Sequence, residues 1–366
     1  MMRGGCFVGA AFLAFALVGC GPAESAKQPP RTAAQQTLPA QTANAGAVQR
    51  IVADLDPCAA DGGAFEQKVC ANRSLASLDS QIRATLASRA AAVSEAGAQL
   101  LVQNQERWRE AQRIACGIAN ADAQPNAAQQ ICLENRFRAR AQEAASAVQS
   151  AGGYTFQRVE AFAATPMPRQ LAAMAGAAPA TTTDIRFPRI DGPQTPQIQR
   201  FNALMAQRPQ FRADQGANEV VRYEIAYAGP DLVSVRFNSS SDTPSTAQTS
   251  TNVKAVTVVM ATGQALGAAD VFRAGSGWED FLTRRAIHDL AATYADYNFA
   301  PPERDVHETV TKPHLWLITE HALVLLFPPL SFGGSYDMGD TQVTIPWSEL
   351  RRYLNPNAPS PIRPQA

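Results

Sequence analysis

The chain has 366 residues, 32 of them basic and 32 acidic, so its formal charge is zero. Only four of the basic residues are Lys, and no basic stripe or run occurs, which argues against nucleic acid as a partner. The length suits two ordinary domains.

Residues 1–19 read as a signal peptide. Arg3 supplies the positive start, and Phe7 to Val18 is an apolar run of about a dozen residues, too short to span a bilayer. The run ends in Leu17-Val18-Gly19-Cys20, which resembles the bacterial lipobox. Small residues before the cut fit the peptidase, and the Cys20 sulfur is the expected site of lipidation. Two or more acyl chains anchor stably where one does not. Residue 21 is Gly rather than the Asp of inner-membrane retention, so the expected address is the periplasmic side of the outer membrane.

Residues 20–52, rich in Ala, Gln, Pro and Thr, lack the apolar groups that would offset ordering entropy and read as a flexible tether. Residues 53–148 read as a three-helix domain. Leu75, Leu78, Ile82 and Leu86 form one apolar face; a second helix from about Gln99 to Cys116 turns Leu101, Trp108 and Ala115 inward; a third carries Ile131, Phe137, Ala141 and Val148. Cys58, Cys70, Cys116 and Cys132 are an even number in an exported chain and read as two disulfides. Three connectivities are open. The local pairs Cys58–Cys70 and Cys116–Cys132 close short loops and are slightly favoured; a crossed Cys70–Cys116 pair would tie one helix to the next. No Cys-x-x-Cys occurs and no His lies between residues 58 and 132, so no metal is expected there.

Residues 149–183 read as an Ala-, Pro- and Thr-rich linker. From Asp184 the period changes to two. Tyr223 to Tyr227, Leu232 to Phe237 and Lys254 to Met260 are expected strands; Trp278 to Tyr294 is an amphipathic helix; Leu315 to Thr319 and Ala322 to Phe327 form a hairpin about Glu320-His321. Val343 to Ile345 is a last strand, and Ser348 is the expected cap of a short final helix carrying Tyr353 and Leu354. Residues 357–366 read as a disordered tail. The expected fold is multi-domain: a small all-α disulfide-bonded domain, then an α+β domain over 184–356 with a mainly antiparallel sheet.

The helical segment resembles the lysozyme-inhibitor lipoprotein (LprI-like) domain, through Cys58, Glu66, Cys70, Leu75 to Leu78 with Asp79, then Gln105, Trp108, Arg113, Cys116, Cys132-Leu133 and Arg140. The arginine that family carries four residues after the tryptophan is Gln112 here. The second half resembles the ectodomain of the sigma-V anti-sigma factor, also found appended to peptidoglycan deacetylases. That likeness runs from Ile185-Arg186-Phe187-Pro188 and Asn202 through Ala269-Asp270-Val271-Phe272 to Leu325-Leu326-Phe327-Pro328-Pro329, Tyr336, Gly339 and Val343 to Leu350. Its phenylalanine-asparagine-proline-tyrosine loop is altered by Gly333-Gly334-Ser335, and its histidine-proline is replaced near Asp242-Thr243-Pro244. Both resemblances imply contact with lysozyme. A direct transcriptional role would need a cytoplasmic domain and a spanning helix, and is not expected.

No catalytic constellation stands out, and no enzyme and no cofactor are expected: there is no Gly-x-Ser-x-Gly, P-loop or Rossmann pattern. His307-Glu308 lacks a second His, Glu320-His321 sits at a turn, His288 reads as a helix-surface residue, and the adjacent Glu279-Asp280 do not face each other. Trp108 reads as core and Asp79 as a structural polar contact. Charge is more informative. Residues 53–148 hold 10 Lys plus Arg against 11 Asp plus Glu, whereas residues 220–350 hold 8 against 15, a net of −7. A cationic protein would be steered to that half. The loops Asn238–Asn252 and Pro328–Asp340 are the expected contacts, with Asp242, Phe332, Tyr336, Asp337 and Asp340 as candidate partner-binding residues. The reading is a non-catalytic, lipid-anchored envelope protein that binds, and as a further step inhibits, a lysozyme-type glycosidase. The alternative is a module that binds peptidoglycan or an envelope protein in envelope maintenance or stress sensing. Membrane fractionation is expected to recover the protein with the outer membrane; recovery with the inner membrane alone would refute that address.

Overall fold

The computed structural model describes residues 45–167, 178–207, 217–243, 248–297, 299–333 and 340–363. The signal peptide, Cys20, Tyr336 and Asp337 lie outside the described residues. Residues Gln41–Ala366 form one compact unit, in which a helical region with two disulfides is followed by an α+β region with a mostly antiparallel sheet.

The helical region has five helices rather than three: α1 (Ala45–Asp54), α2 (Ala64–Ala71), α3 (Arg73–Ala90), α4 (Glu95–Ala115) and α5 (Ala127–Glu143). The first falls on the expected tether. Ala47, Ile51 and Leu55 recur at helical spacing and are fully buried, so residues 45–52 are packed rather than free. Side chains start the later helices: Asn72 accepts from the backbone of Ser74 and Leu75, Ser94 accepts from Gly97, and Asn126 and Gln129 form a reciprocal capping box. The disulfides are the two local pairs, Cys58–Cys70 and Cys116–Cys132. Asp79 of α3 is wholly buried; it accepts from Arg109 at 2.6 Å and Arg83 at 2.9 Å, and Arg109 also donates to the Leu55 carbonyl at 2.5 Å. One carboxylate thus ties α3 and α4 to the end of α1. Within α5, Leu133 and Phe137 face the core, whereas Ile131, read above as inward, is 62% exposed.

The stretch read as a linker is largely strand. β1 (Val148–Ala151) and β2 (Tyr154–Pro166) form a hairpin, and β3 (Ala180–Ile190) pairs along its own full length with β2 from Phe156 to Pro166. After α6 (Pro196–Gln207), β4 (Asn218–Ala228), β5 (Leu232–Thr243), β6 (Gln248–Val259) and β7 (Gln264–Ala265) complete a seven-stranded sheet in sequence order. Its pairings are antiparallel except between β3 and β4, which run parallel over Thr183–Ile185 and Glu219–Val221. The expected loop 238–252 is therefore mostly paired strand.

Next come α7 (Ala268–Val271), α8 (Trp278–Thr293), α9 (Glu303–Val310), β8 (Trp316–Ile318), β9 (Ala322–Phe327), β10 (Thr341–Pro346) and α10 (Trp347–Leu350). β10, β9 and β8 form a second sheet sandwiched between two layers. Leu315, Leu317, Val324 and Leu326 pack on Val253 and Ala255 of the large sheet. Trp316, Ile318, Leu323, Leu325 and Phe327 join Trp278, Leu282 and Leu290 of α8 and Val306 and Val310 of α9. A strand covered on both faces has no reason to alternate, which explains the unbroken apolar run of β9. The final helix is preceded by Pro346 and has no side-chain cap, so Ser348 lies inside it rather than capping it. The expected tail is also ordered as far as residue 363: Ala358 and Ile362 are fully buried in the core around α8. Among the described residues no helix is long and apolar enough to cross a membrane.

Helical region and sheet are joined through buried charge. Glu160 on β2 is 1% exposed and takes both guanidinium nitrogens of Arg140 from α5, at 2.7 and 2.8 Å, plus Arg158 at 2.6 Å. Gln105 of α4 accepts from the Arg140 Nε–H at 2.9 Å, and the Arg140 guanidinium lies 5.5 Å from the rings of both Trp108 and Phe162. Beside this cluster, where β1 has ended, the Asn104 side chain treats β2 as a neighbouring strand would: it donates to the Arg158 carbonyl at 2.9 Å and accepts from Glu160 N–H at 3.3 Å. At the start of α4, Asp191 accepts from the backbone and hydroxyl of Ser94 at 2.6 and 2.7 Å. Gly97 is required there, because a Cβ would come within 2.9 Å of Asp191.

Burial alone would push the Glu160 carboxyl up, but Arg140, by charge and hydrogen bonding, and then Arg158 overrule it and bring it to about 2 from the usual 4.5. A depressed folded-state pKa stabilises fully above the unfolded value, and the contribution is lost as pH falls from about 4.5 toward 2. Replacing Glu160 by Gln strands two guanidinium groups and is expected to cost about 3–5 kcal/mol in urea unfolding at neutral pH. The difference from wild type is expected to shrink through that acid window.

Candidate partner-binding surface

The chain leaving β9 reads Pro328-Pro329-Leu330-Ser331-Phe332-Gly333. Proline cannot extend the ladder. Two tight turns follow, Ser331 N–H to Pro328 O at 3.1 Å and Gly333 N–H to Leu330 O at 3.3 Å. Phe332 was expected to contact a partner. Instead it is fully buried, stacked on Tyr294 at 5.6 Å and edge-on to Phe327 and Phe299, each at 5.8 Å. It is the plug that seats the loop. The Thr309 hydroxyl of α9 fastens the same turn, 2.8 Å from the Ser331 carbonyl, and Gly333 lies against Pro302.

Fixing the loop at Phe332 turns Leu330 outward. It is 46% exposed and has φ 67°, the one non-glycine residue with positive φ among the described residues. That left-handed backbone brings an L side chain too close to its own carbonyl and costs about 1–2 kcal/mol. Tyr297, in the short 3-10 turn Ala295–Tyr297 after α8, is 69% exposed with its ring 6.1 Å from Tyr294. Leu330 and Tyr297 thus crown the same buried aromatic group. Around them Asp296, Glu303 and Asp305 have no ion-pair partner among the described residues, while Glu308 is paired with Lys312 at 2.9 Å. The hydrogen bond from Lys312 holds the Glu308 carboxyl below its usual range. Two large apolar groups are therefore displayed near carboxylates that form no ion pair among the described residues, with Arg284 and Arg304 lining the cleft beside Glu303.

The other candidates are scattered. Asp340 is half-exposed and paired with Arg236 at 3.0 Å. Asp242 lies six residues further along β5, roughly 20 Å of strand away, and accepts from Asn218 at 3.1 Å. The two are not in one site. Tyr336 and Asp337, outside the described residues, follow Gly333 within three and four positions. Sequence reasoning missed Tyr297 and Leu330. Tyr297 could have been flagged as an aromatic just past an amphipathic helix, but nothing in the sequence signals that Leu330 points to solvent.

The histidines lie apart. His288 and His321 are on the surface beside Asp289 and Glu320, and His307 sits 3.1 Å from the buried Thr283 hydroxyl. Burial, followed by the charges of Lys254 and Lys312, lowers the affinity of His314 for its proton. Trp108 is core, edge-on to Phe137 at 4.9 Å. Among the described residues no group of three His, Cys, Asp or Glu is placed to hold a metal ion.

No described protein family matches the sequence, and no curated protein does. A DUF3298-family protein from Bacteroides fragilis matches 57% of this chain and 96% of its own, at 12% identity and TM-score 0.37. A DUF3298-family protein from Pseudomonas aeruginosa matches 58% of this chain and 98% of its own, at 15% identity and TM-score 0.41.

Replacing Leu330 by Gly removes the left-handed penalty but adds about 0.5–1 kcal/mol of unfolded-chain freedom. The expected outcome is a net gain of about 0.5–1 kcal/mol, read as a higher midpoint in thermal unfolding.

Proposed function

We propose that this chain is a lipid-anchored, non-catalytic envelope protein that binds lysozyme-type muramidases and inhibits them. The observation that carries the reading is the display of Leu330 and Tyr297, 46% and 69% exposed, on a buried aromatic support near carboxylates that form no ion pair among the described residues. Large apolar side chains supply contact area in a desolvated centre, while carboxylates at the rim steer a cationic protein. The net of −7 over residues 220–350 acts in the same direction. Tyr336 and Asp337 extend the same loop in sequence, and each residue type suits a basic glycosidase cleft. The resemblances of both halves to lysozyme-binding families support the same partner. Cys20 supplies the anchor in this reading, on the periplasmic face of the outer membrane.

Calorimetric titration of the mature protein into lysozymes of several types, with the lytic rate followed in parallel, tests the proposal. A complex is expected that weakens as salt is raised and as Tyr297→Ala is combined with Leu330→Gly, by tenfold or more for the pair. Absence of a complex and an unchanged lytic rate with every lysozyme type would overturn it. Retention of the chain by purified sacculi with no lysozyme binding would favour a peptidoglycan-binding module.

A further inference from the structure

Most of the large sheet's open backbone is covered. Asn104 occupies the edge of β2 beyond β1. The fork where β3 and β4 part is closed by Arg222, which donates to the Asp184 carbonyl at 3.0 Å and its carboxylate at 2.5 Å. The last long strand is different. β7 pairs only with Val258 and Val259, so β6 runs on to Gln248 with no strand on its outer side among the described residues. The ladder fixes which groups point outward. Met260 N–H bonds to β5's side at Asp231 O, whereas Thr257 O accepts from Leu266 beyond the edge; odd-numbered residues of β6 therefore face away from β5. Val253 N–H is capped by the Asn252 side chain at 2.8 Å. Thr249 and Thr251, both exposed, keep their outward N–H and C=O groups without a partner among the described residues. No Lys, Pro or bulge, the usual guards of an edge, occurs from Gln248 to Asn252.

We infer that this edge pairs with the same edge of a second copy of the chain. An antiparallel two-fold about Ser250 sets Thr249 opposite Thr251 of the second copy, and both positions expose the groups a hydrogen-bonded pair exchanges. Four backbone hydrogen bonds and two Thr–Thr cross-strand pairs result, and the Asn252 cap ends the segment at either side. Charge permits it. Gln248–Asn252 carries none, and the neighbouring strand offers Ser239, Ser240 and Ser241, with Asp242 alone beside Thr249. In the paired arrangement the two Asp242 side chains stand three strand spacings apart and two residues offset, about 16 Å, beyond a Debye length of about 8 Å in physiological salt. The segment is polar on both faces, which offers no pockets to an apolar peptide and suits its own hydroxyl-rich copy. An edge this short falls below the area of stable complexes, so association is weak in solution. It strengthens where copies share a surface and their effective concentration rises. The inference is independent of the muramidase reading.

Analytical ultracentrifugation of the chain from Gly21 onward, from about 10 μM to about 1 mM, tests it. A concentration-dependent monomer–dimer equilibrium is expected. Thr249→Lys combined with Thr251→Lys places like charges opposite each other and is expected to weaken it at least tenfold. Thr249→Lys combined with Thr251→Glu places opposite charges face to face in this register only and is expected to restore it. Both positions are exposed, so circular dichroism should be unchanged in either variant. A monomer at every concentration, or a dimer that both variants affect alike, would overturn the inference.

Discussion

The structure depends on one buried carboxylate. Glu160 sits on β2, a strand of the sheet, while its bidentate partner Arg140 sits on the last helix of the disulfide-bonded region. The pair is desolvated on both sides, so attraction is set against a cost of several kcal/mol for each ion removed from water. Gln105, Arg158 and the faces of Trp108 and Phe162 surround the pair and offset part of that cost. A buried pair of this kind is poor evidence for extra stability over an apolar core. It is a strong reason why one arrangement of helices on sheet is kept, since displacing either partner leaves a bare charge in the interior. The aromatic core of the helices and the edge of the sheet therefore order together, and the disulfides act within the helical half of that unit.

The same residues explain what the sequence concealed. In Phe156-Gln157-Arg158-Val159-Glu160-Ala161-Phe162 the positions sharing a face with Phe156 and Phe162 are held by Arg158 and Glu160. Period-two reasoning looks for apolar groups there and finds charges, and the surrounding Ala-, Pro- and Thr-rich composition reads as linker. Its partners are distant in sequence, Asn104 and Arg140 on helices, and no local pattern announces them. Strands β5, β6 and β9 were legible because ordinary apolar side chains fill their inward positions. The helices α3, α4 and α8 were legible for the same reason at a period of 3.6. At the chain ends, α1 and the segment around Ala358 and Ile362 were obscured by Ala- and Pro-rich composition; their few apolar residues suffice because they add to a core already built by others.

The candidate surface was legible only as a location. The loop after β9 is marked by its prolines, glycines and aromatics, but Phe332 faces the core rather than a partner. Phe332, the group with most to gain from burial, is driven into the pocket of Tyr294, Phe299 and Phe327. The chain between the β9 end and that plug is short, and its route leaves Leu330 in the left-handed region with its side chain to solvent. Exposure of Leu330 is thus a geometric consequence of burying Phe332, which no single-residue preference would report.

That consequence bears on binding. A flexible loop carrying the same Leu and Tyr would lose conformational freedom on association, at about 0.5–1.5 kcal/mol for each side chain immobilised. Here the ordering has been completed on folding: Phe332 is seated, Thr309 fastens Ser331, and Tyr297 rests beside Tyr294. The strain at Leu330 is balanced within the folded core and is present whether or not a partner is bound, so it does not weigh against association. Asp296, Glu303 and Asp305 form no ion pair among the described residues, and Arg284 and Arg304 line the cleft beside Glu303, so the charge there is mixed with an acidic excess. A surface built in this way favours a partner that is apolar at its centre and basic at its rim. In the proposed complex, selection would rest on shape and charge already in place, with the protein's own buried aromatics, rather than the partner, holding Leu330 and Tyr297 in position.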